Sequence, residues 1–119
     1  MDDERAAGYH RSPWPGEDGG PARRQRPREA VPARFGPGVA LEVTSRPVIA
    51  STMAVLRDPG EVFVLTHTVP LTAGPDGVTA VVERIDPQSL EPRVASPVLP
   101  GGPFWPGGLL AHADGSLYA

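Results

Sequence analysis

The chain of 119 residues contains no cysteine, no lysine and no asparagine. Without cysteine, disulfides, thiolate metal sites and cysteine nucleophiles are excluded. No stretch approaches the ~18 apolar residues that a membrane-spanning helix needs, and no apolar run follows the charged first five residues as in a secretory signal. We therefore expect no membrane span, and a cytoplasmic location is the default.

Proline and glycine are abundant instead, with 16 and 14 residues. Proline removes a backbone hydrogen-bond donor and breaks helix interiors. Between residues 47 and 106 the longest proline-free intervals are residues 48–58 and 76–86, which leave almost no room for a helix of average length. The sequence predicts an all-β fold of antiparallel sheets.

The two ends of the chain differ in composition. Residues 1–38 combine proline, glycine and arginine with isolated apolar residues, which predicts a disordered tail. Five arginines between residues 23 and 34 are open to two interpretations, an arm for phosphates or anionic lipid, or a solvated tail, and we favour the tail. Residues 41–119 contain four arginines and eight acidic residues, so a nucleic-acid partner is not expected.

Residues 39–119 are expected to form a partial β-propeller-like region. Turn chemistry at residues 57–60 and 86–90 separates the predicted strands, which cover residues 39–43, 48–56, 61–67, 78–85 and 93–96. Pro92 and Pro97 bracket the last of these, which predicts an outermost strand. The middle strands are apolar on both faces, so both faces should be covered, as they are between propeller blades.

The last forty residues add a sign of repetition. A loop over residues 101–108 leads into a second hairpin over residues 109–118, in which strand, Asp-containing turn and strand recur. Asp58 and Asp114 are 56 residues apart, somewhat more than the roughly 40 to 50 residues of a propeller blade. We expect about one blade and the start of a second, which would need further blades of the same protein.

Two motifs support this interpretation. Residues 82–90, VERIDPQSL, resemble a strand that ends in an Asp-Pro-x-Ser/Thr turn, and residues 109–118, LLAHADGSLY, are similar to an inner-strand hairpin with an Asp-Gly turn. Over about residues 46–119 the chain resembles the repeat blades of quinoprotein-like and related bacterial β-propellers. The quinone-dependent members place glycine where Leu90 stands and a docking tryptophan shortly after it, which is missing here, so no cofactor is expected.

Few side chains suggest chemistry. His112 and Asp114 would share one strand face and could ligate a metal, but no third ligand is close in sequence, and a turn Asp beside a strand His is the simpler interpretation. Phe104 and Trp105 between two glycine pairs could form an aromatic platform for a ligand or pack where one blade crosses to the next. We favour packing and assign no catalytic, cofactor or metal residue.

Three hypotheses about function follow. The first is a noncatalytic repeat scaffold or ligand-binding propeller of which this chain is the N-terminal part. The second is a propeller enzyme of the lactonase or dehydrogenase type, whose catalytic residues would lie in other blades. The third is a small β-sandwich interaction domain.

Overall fold

A computed structural model describes residues 8–12, 14–16, 36–40, 42–48, 51–67, 79–100 and 108–119. Within these ranges the chain is all-β, as the sequence predicts, and every strand pair is antiparallel. None of the described segments forms a helix that could cross a membrane.

The larger sheet is a meander in the order β1-β2-β3-β4, with a short β5 also paired to β3. Its strands are β1 (Ser51–Leu56), β2 (Val62–His67), β3 (Thr79–Ile85), β4 (Pro92–Ala95) and β5 (Leu99–Pro100). β1 and β2, and likewise β3 and β4, are neighbours because short turns with suitable residues connect them.

The turn between β1 and β2 forms where the sequence predicts it. Pro59 presets φ at the second turn position, and Gly60 follows at φ 79°, the positive value that a type II turn requires there. The backbone N–H of Glu61 donates to the carbonyl of Asp58 at 2.9 Å and closes the turn. The two strands therefore form the expected hairpin.

The turn between β3 and β4 is organised by Asp86. Its carboxylate accepts hydrogen bonds from the backbone N–H groups of Gln88 and Ser89, both at 2.9 Å. The chain then reverses at Leu90, which has a φ of 61°. This left-handed conformation suits glycine and costs a branched residue energy, which gives a physical reason for glycine at this position in similar turns.

β4 lies at the edge of the sheet, as the flanking prolines predict, and all four of its residues are exposed. Ser96 lies between β4 and β5 and forms hydrogen bonds to β3 there. Its backbone N–H donates to the carbonyl of Val82 at 2.9 Å, and its hydroxyl accepts the Val82 N–H at 3.0 Å. A side-chain hydroxyl thus replaces one ladder bond where the edge strand is interrupted.

The smaller sheet is the predicted C-terminal hairpin, with β6 (Leu110–Ala111) and β7 (Leu117–Tyr118). It packs on one face of the larger sheet through Leu109, which is 3% exposed. The core consists of Val55, Phe63, Leu65, Ala80 and Leu109, with Met53, Val82 and Leu117 packed against it. The burial of these apolar side chains stabilises the contact between the two sheets.

Residues 8–12 and 14–16 contact both sheets. The N–H of His10 donates to the carbonyl of Ala111 at 2.8 Å, and the N–H of Ala111 donates to the carbonyl of Pro15 at 2.7 Å. At the other sheet, the N–H of Leu56 donates to the carbonyl of Trp14 at 2.7 Å. The disordered tail that the sequence predicts over residues 1–38 stays a prediction, and within it residues 8–12 and 14–16 make these contacts with the sheets.

The strand predicted over residues 39–43 does not form at the described positions. Residues 39, 40, 42 and 43 have no regular structure, and the side chains of Val39 and Val43 are 55% and 82% exposed. A short apolar alternation gains little when no neighbouring strand pairs with it, so the prediction is wrong there.

The opposite face of the larger sheet is less covered than the core face. Val62, Val64, Val81 and Ile85 are half-buried there. The expectation of cover on both faces is therefore met only in part, since Val94 on the core face is also 59% exposed.

Candidate functional site

An apolar groove of about 470 Å³ lies where the smaller sheet stops short of covering the larger one. It is bounded by residues from β2 to β5 on one side and by β7 on the other, chiefly Phe63, Val82, Val94, Leu99, Leu117 and Tyr118. The volume is in the range of about 300 to 1,000 Å³ that is typical of ligand sites. This concavity is the best candidate for a binding site in the described part of the chain.

The register of the strands explains why the walls are apolar. Phe63 pairs with Arg84, and Arg84 pairs with Val94, so these three side chains share the face on which the smaller sheet packs. Leu117 covers the inner part of that face, but Val94 and Tyr118 remain 59% and 54% exposed. The groove thus continues the inter-sheet core outward to the surface.

Charged side chains meet at one end of the two sheets. Nε of Arg57 lies 2.8 Å from a carboxylate oxygen of Glu61, and Nη1 of Arg84 lies 3.2 Å from the other. Arg57 also donates to the carbonyl of Gly115 in the C-terminal hairpin at 2.7 Å, and its guanidinium lies 5.0 Å from the centre of the Phe63 ring. Arg57 therefore links the β1–β2 turn to the smaller sheet.

This arrangement stabilises the ionised form of Glu61. The hydrogen bond from Arg57 lowers the pKa of the Glu61 carboxyl below its ordinary value, and the charge of Arg84 acts in the same direction. The Glu61 carboxylate thus forms ion pairs with two guanidinium groups. Arg84 is 43% exposed and is the one charged side chain among the residues that line the groove.

His112 and Asp114 are in contact, since Nδ1 of His112 lies 2.9 Å from Oδ1 of Asp114, but Asp114 lies in the turn and not on the strand face expected from the sequence. The same oxygen accepts the backbone N–H of Ser116 at 2.7 Å, which lowers the pKa of Asp114 and, with Gly115 at φ 89°, closes the hairpin turn. His112 packs edge-on against Tyr118, with ring centres 5.5 Å apart. These contacts fit the turn interpretation.

The structure adds no metal ligand to that pair. Among the described residues, no group of three or more histidine or acidic side chains is arranged to hold a metal ion. Phe104 and Trp105 lie outside the described residues, so their roles as a ligand platform or as packing residues stay predictions. The proposed absence of catalytic and cofactor residues likewise stays a prediction.

Sequence reasoning missed the groove. Its walls come from four separate segments, and each wall residue looks like an ordinary strand or turn residue in the sequence. The sequence feature that pointed towards it was the pair of prolines around Val94, which marks an edge strand. An edge strand indicates an unpaired side of a sheet but does not show which other segment lies beside it.

Comparison with known proteins gives no match: no family model, no curated protein and no solved structure is significantly similar to this chain.

Proposed function

We infer that this chain is a noncatalytic β-sheet scaffold of the propeller-like type, which binds a ligand in the apolar groove beside β7. The observation that supports this proposal best is the stacking of the C-terminal hairpin on the larger sheet. Leu109 is buried in that contact, whereas the wall residue Val94 stays exposed. The groove at the edge of the two stacked sheets offers an apolar binding surface, and such a surface can bind a ligand without catalysing a reaction.

The stacking is also the arrangement that neighbouring blades of a propeller adopt, because each blade buries its faces against the next one. Under this proposal the four-stranded meander corresponds to one blade and β6–β7 to the first hairpin of another. The turns at Gly60 and Gly115, both with positive φ, occupy corresponding places in the two hairpins.

A second candidate is a β-sandwich interaction domain, and residues 8–16 favour it. Tyr9 forms an antiparallel β-bridge with His112, on the side of β6 that faces away from β7. Trp14 accepts a hydrogen bond from Leu56 of β1. A segment that contacts both sheets is compatible with a domain of two layers packed around one core. Thermal unfolding with sedimentation separates the candidates: a cooperative transition from a compact monomer supports the sandwich, and marginal stability with association supports the propeller-like proposal.

The binding function is tested by nuclear magnetic resonance on the ¹⁵N-labelled chain, with anilinonaphthalene sulfonate as an apolar anionic probe. We expect saturable shifts at Val82, Leu99, Leu117 and Tyr118, which line the groove. Shifts confined to the opposite face of the larger sheet, or no saturable change, would contradict a binding function of the groove.

A further inference from the structure

Met53 connects the two sheets through its sulfur atom. It lies in β1 directly opposite Leu65, and its side chain packs against the core between the sheets. Leu109, the buried residue just before β6, donates its backbone N–H to the Met53 sulfur at 3.2 Å. A thioether sulfur is a weak acceptor, but here it is the partner of a main-chain donor at the centre of the inter-sheet contact.

The thioether is partly open to solvent. Met53 is half-buried, and the neighbouring Gly108 is exposed. A Cβ added at Gly108 would lie 3.9 Å from the methyl carbon of Met53, so the glycine itself adds no side chain over the thioether. Met53 also borders a surface concavity of about 330 Å³ together with Tyr9 and Leu110. This concavity has room for a molecule of the size of hydrogen peroxide, which is little larger than water.

Sulfur chemistry is confined to methionine in this chain, which contains two methionines and no cysteine. Peroxide converts a thioether to a sulfoxide. A sulfur lone pair attacks one peroxide oxygen, the O–O bond breaks, and the proton on the attacked oxygen moves to the leaving hydroxide, which departs as water. The sulfur loses two electrons and the peroxide gains them. A flexible apolar group thereby becomes a polar, chiral one.

We propose that Met53 is a reversible oxidation site, and that its conversion to the sulfoxide loosens the smaller sheet from the larger one. Oxygen that adds at the lone pair facing Leu109 needs the space between sulfur and nitrogen, so the Leu109 peptide has to move away. Oxygen that adds at the other lone pair leaves an electron-poor sulfur opposite the N–H. The hydrogen bond in its present geometry is lost in both cases.

This loss affects the residue through which the smaller sheet packs. Leu109 is 3% exposed and belongs to the core with Val55 and Leu65. A buried N–H without an acceptor costs free energy, so Leu109 has to move until its N–H finds water or another acceptor. The strands of the C-terminal hairpin are two residues long, and such a hairpin depends on its packing. Reduction of the sulfoxide restores the thioether and the contact.

The test treats the ¹⁵N-labelled full chain with hydrogen peroxide and identifies the oxidised residues by mass spectrometry of peptides. We expect a sulfoxide at Met53, a shifted Leu109 amide resonance, and hydrogen exchange at that amide at least about tenfold faster. Methionine sulfoxide reductases for both sulfoxide epimers should reverse all three changes.

Three results would overturn the proposal. Met53 that stays a thioether, in peroxide that fully oxidises added free methionine, is not an oxidation site. A sulfoxide at Met53 with an unchanged Leu109 amide refutes the loosening of the sheets. A shift that persists after the sulfoxide has been reduced refutes reversibility.

Met53→Leu separates oxidation of this sulfur from other effects of peroxide. Leucine has a similar volume and cannot be oxidised, and the variant keeps Met1. We expect peroxide to leave the exchange rate at Leu109 within about twofold of the rate in the same variant without peroxide. A tenfold increase in this variant would show that another group responds, and would contradict the role of Met53.

Met53→Gln imitates the polarity of the sulfoxide without an oxidant. Ala54→Gln is the matched control, because the next residue along a strand faces the other side of the sheet and Ala54 is exposed. We expect Met53→Gln to speed exchange at Leu109 at least about tenfold, and Ala54→Gln to change it by less than about twofold. Equal effects would contradict the proposal. If Met53→Gln does not fold, half-oxidised native chain, with both forms compared in one sample, replaces it. None of these measurements uses the groove, so their outcome is separate from that of the proposed binding function.

Discussion

Leu109→Ala tests how strongly the smaller sheet is held on the larger one. Leu109 is 3% exposed and belongs to the core with Val55 and Leu65. Its backbone N–H also lies 3.2 Å from the sulfur of Met53 in β1. Truncation leaves a cavity at the centre of the inter-sheet contact, so the variant should lose both the transfer free energy and the packing of the removed atoms.

The magnitude follows from burial. Replacing a buried leucine by alanine costs about 2 to 5 kcal/mol, and an almost fully buried side chain at a sheet interface justifies a value near the middle, about 3 kcal/mol. The strands of the C-terminal hairpin, Leu110–Ala111 and Leu117–Tyr118, are two residues long. A two-stranded hairpin is marginal on its own, so the hairpin depends on this packing.

Urea unfolding followed by circular dichroism measures the loss, with Val98→Ala as the control. Val98 is 63% exposed, and its truncation should change the free energy of unfolding by less than about 0.5 kcal/mol. A lower denaturant slope in Leu109→Ala would indicate that the hairpin has already separated in the folded state. A Leu109→Ala loss no larger than that of the control would refute the stacking argument.

Four further variants concern the turns and the ends of the sheets. Leu90→Gly should raise the free energy of unfolding relative to Gln88→Gly, because only Leu90 has a positive φ, and paired denaturation curves measure the difference. Arg57→Gln should cost about 1 to 3 kcal/mol through the lost bonds to the Glu61 carboxylate and to the other sheet. Arg57 lowers the pKa of Glu61 in the folded state, so the stability from this pair is present above the pKa of Glu61 in the unfolded chain and is lost as the pH falls through its pKa in the folded state. Glu61→Gln should therefore make Tm less dependent on pH in the acid range. Ser12→Ala should cost about 1 kcal/mol, since the buried hydroxyl donates to a carbonyl of β1, and an unchanged Tm would contradict that bond.

The hairpins could be predicted from the sequence because their turns depend on local chemistry. Gly60 supplies positive φ after proline, and the Asp86 carboxylate binds two N–H groups within three residues of itself. The edge position of Pro92–Ala95 also follows from local sequence, because proline cannot donate to a ladder. Such features need no knowledge of distant residues.

The site could not be predicted in the same way, because it depends on contacts between distant segments. Phe63 and Leu117 meet only after the second hairpin folds onto the first sheet. The contacts of His10 and Trp14 were missed for the same reason, since their bonds use backbone groups that any sequence has. Composition indicates which segments lack a core of their own but not which edge they contact.

The central claim is that the C-terminal hairpin stacks on the larger sheet and leaves the groove beside β7. The most direct measurement is a nuclear Overhauser spectrum of the methyl-labelled chain. The account predicts cross-peaks from the methyl groups of Leu109 to Val55 and from those of Leu117 to the ring of Phe63. Cross-peaks within the larger sheet without any from Leu109 or Leu117 would contradict it.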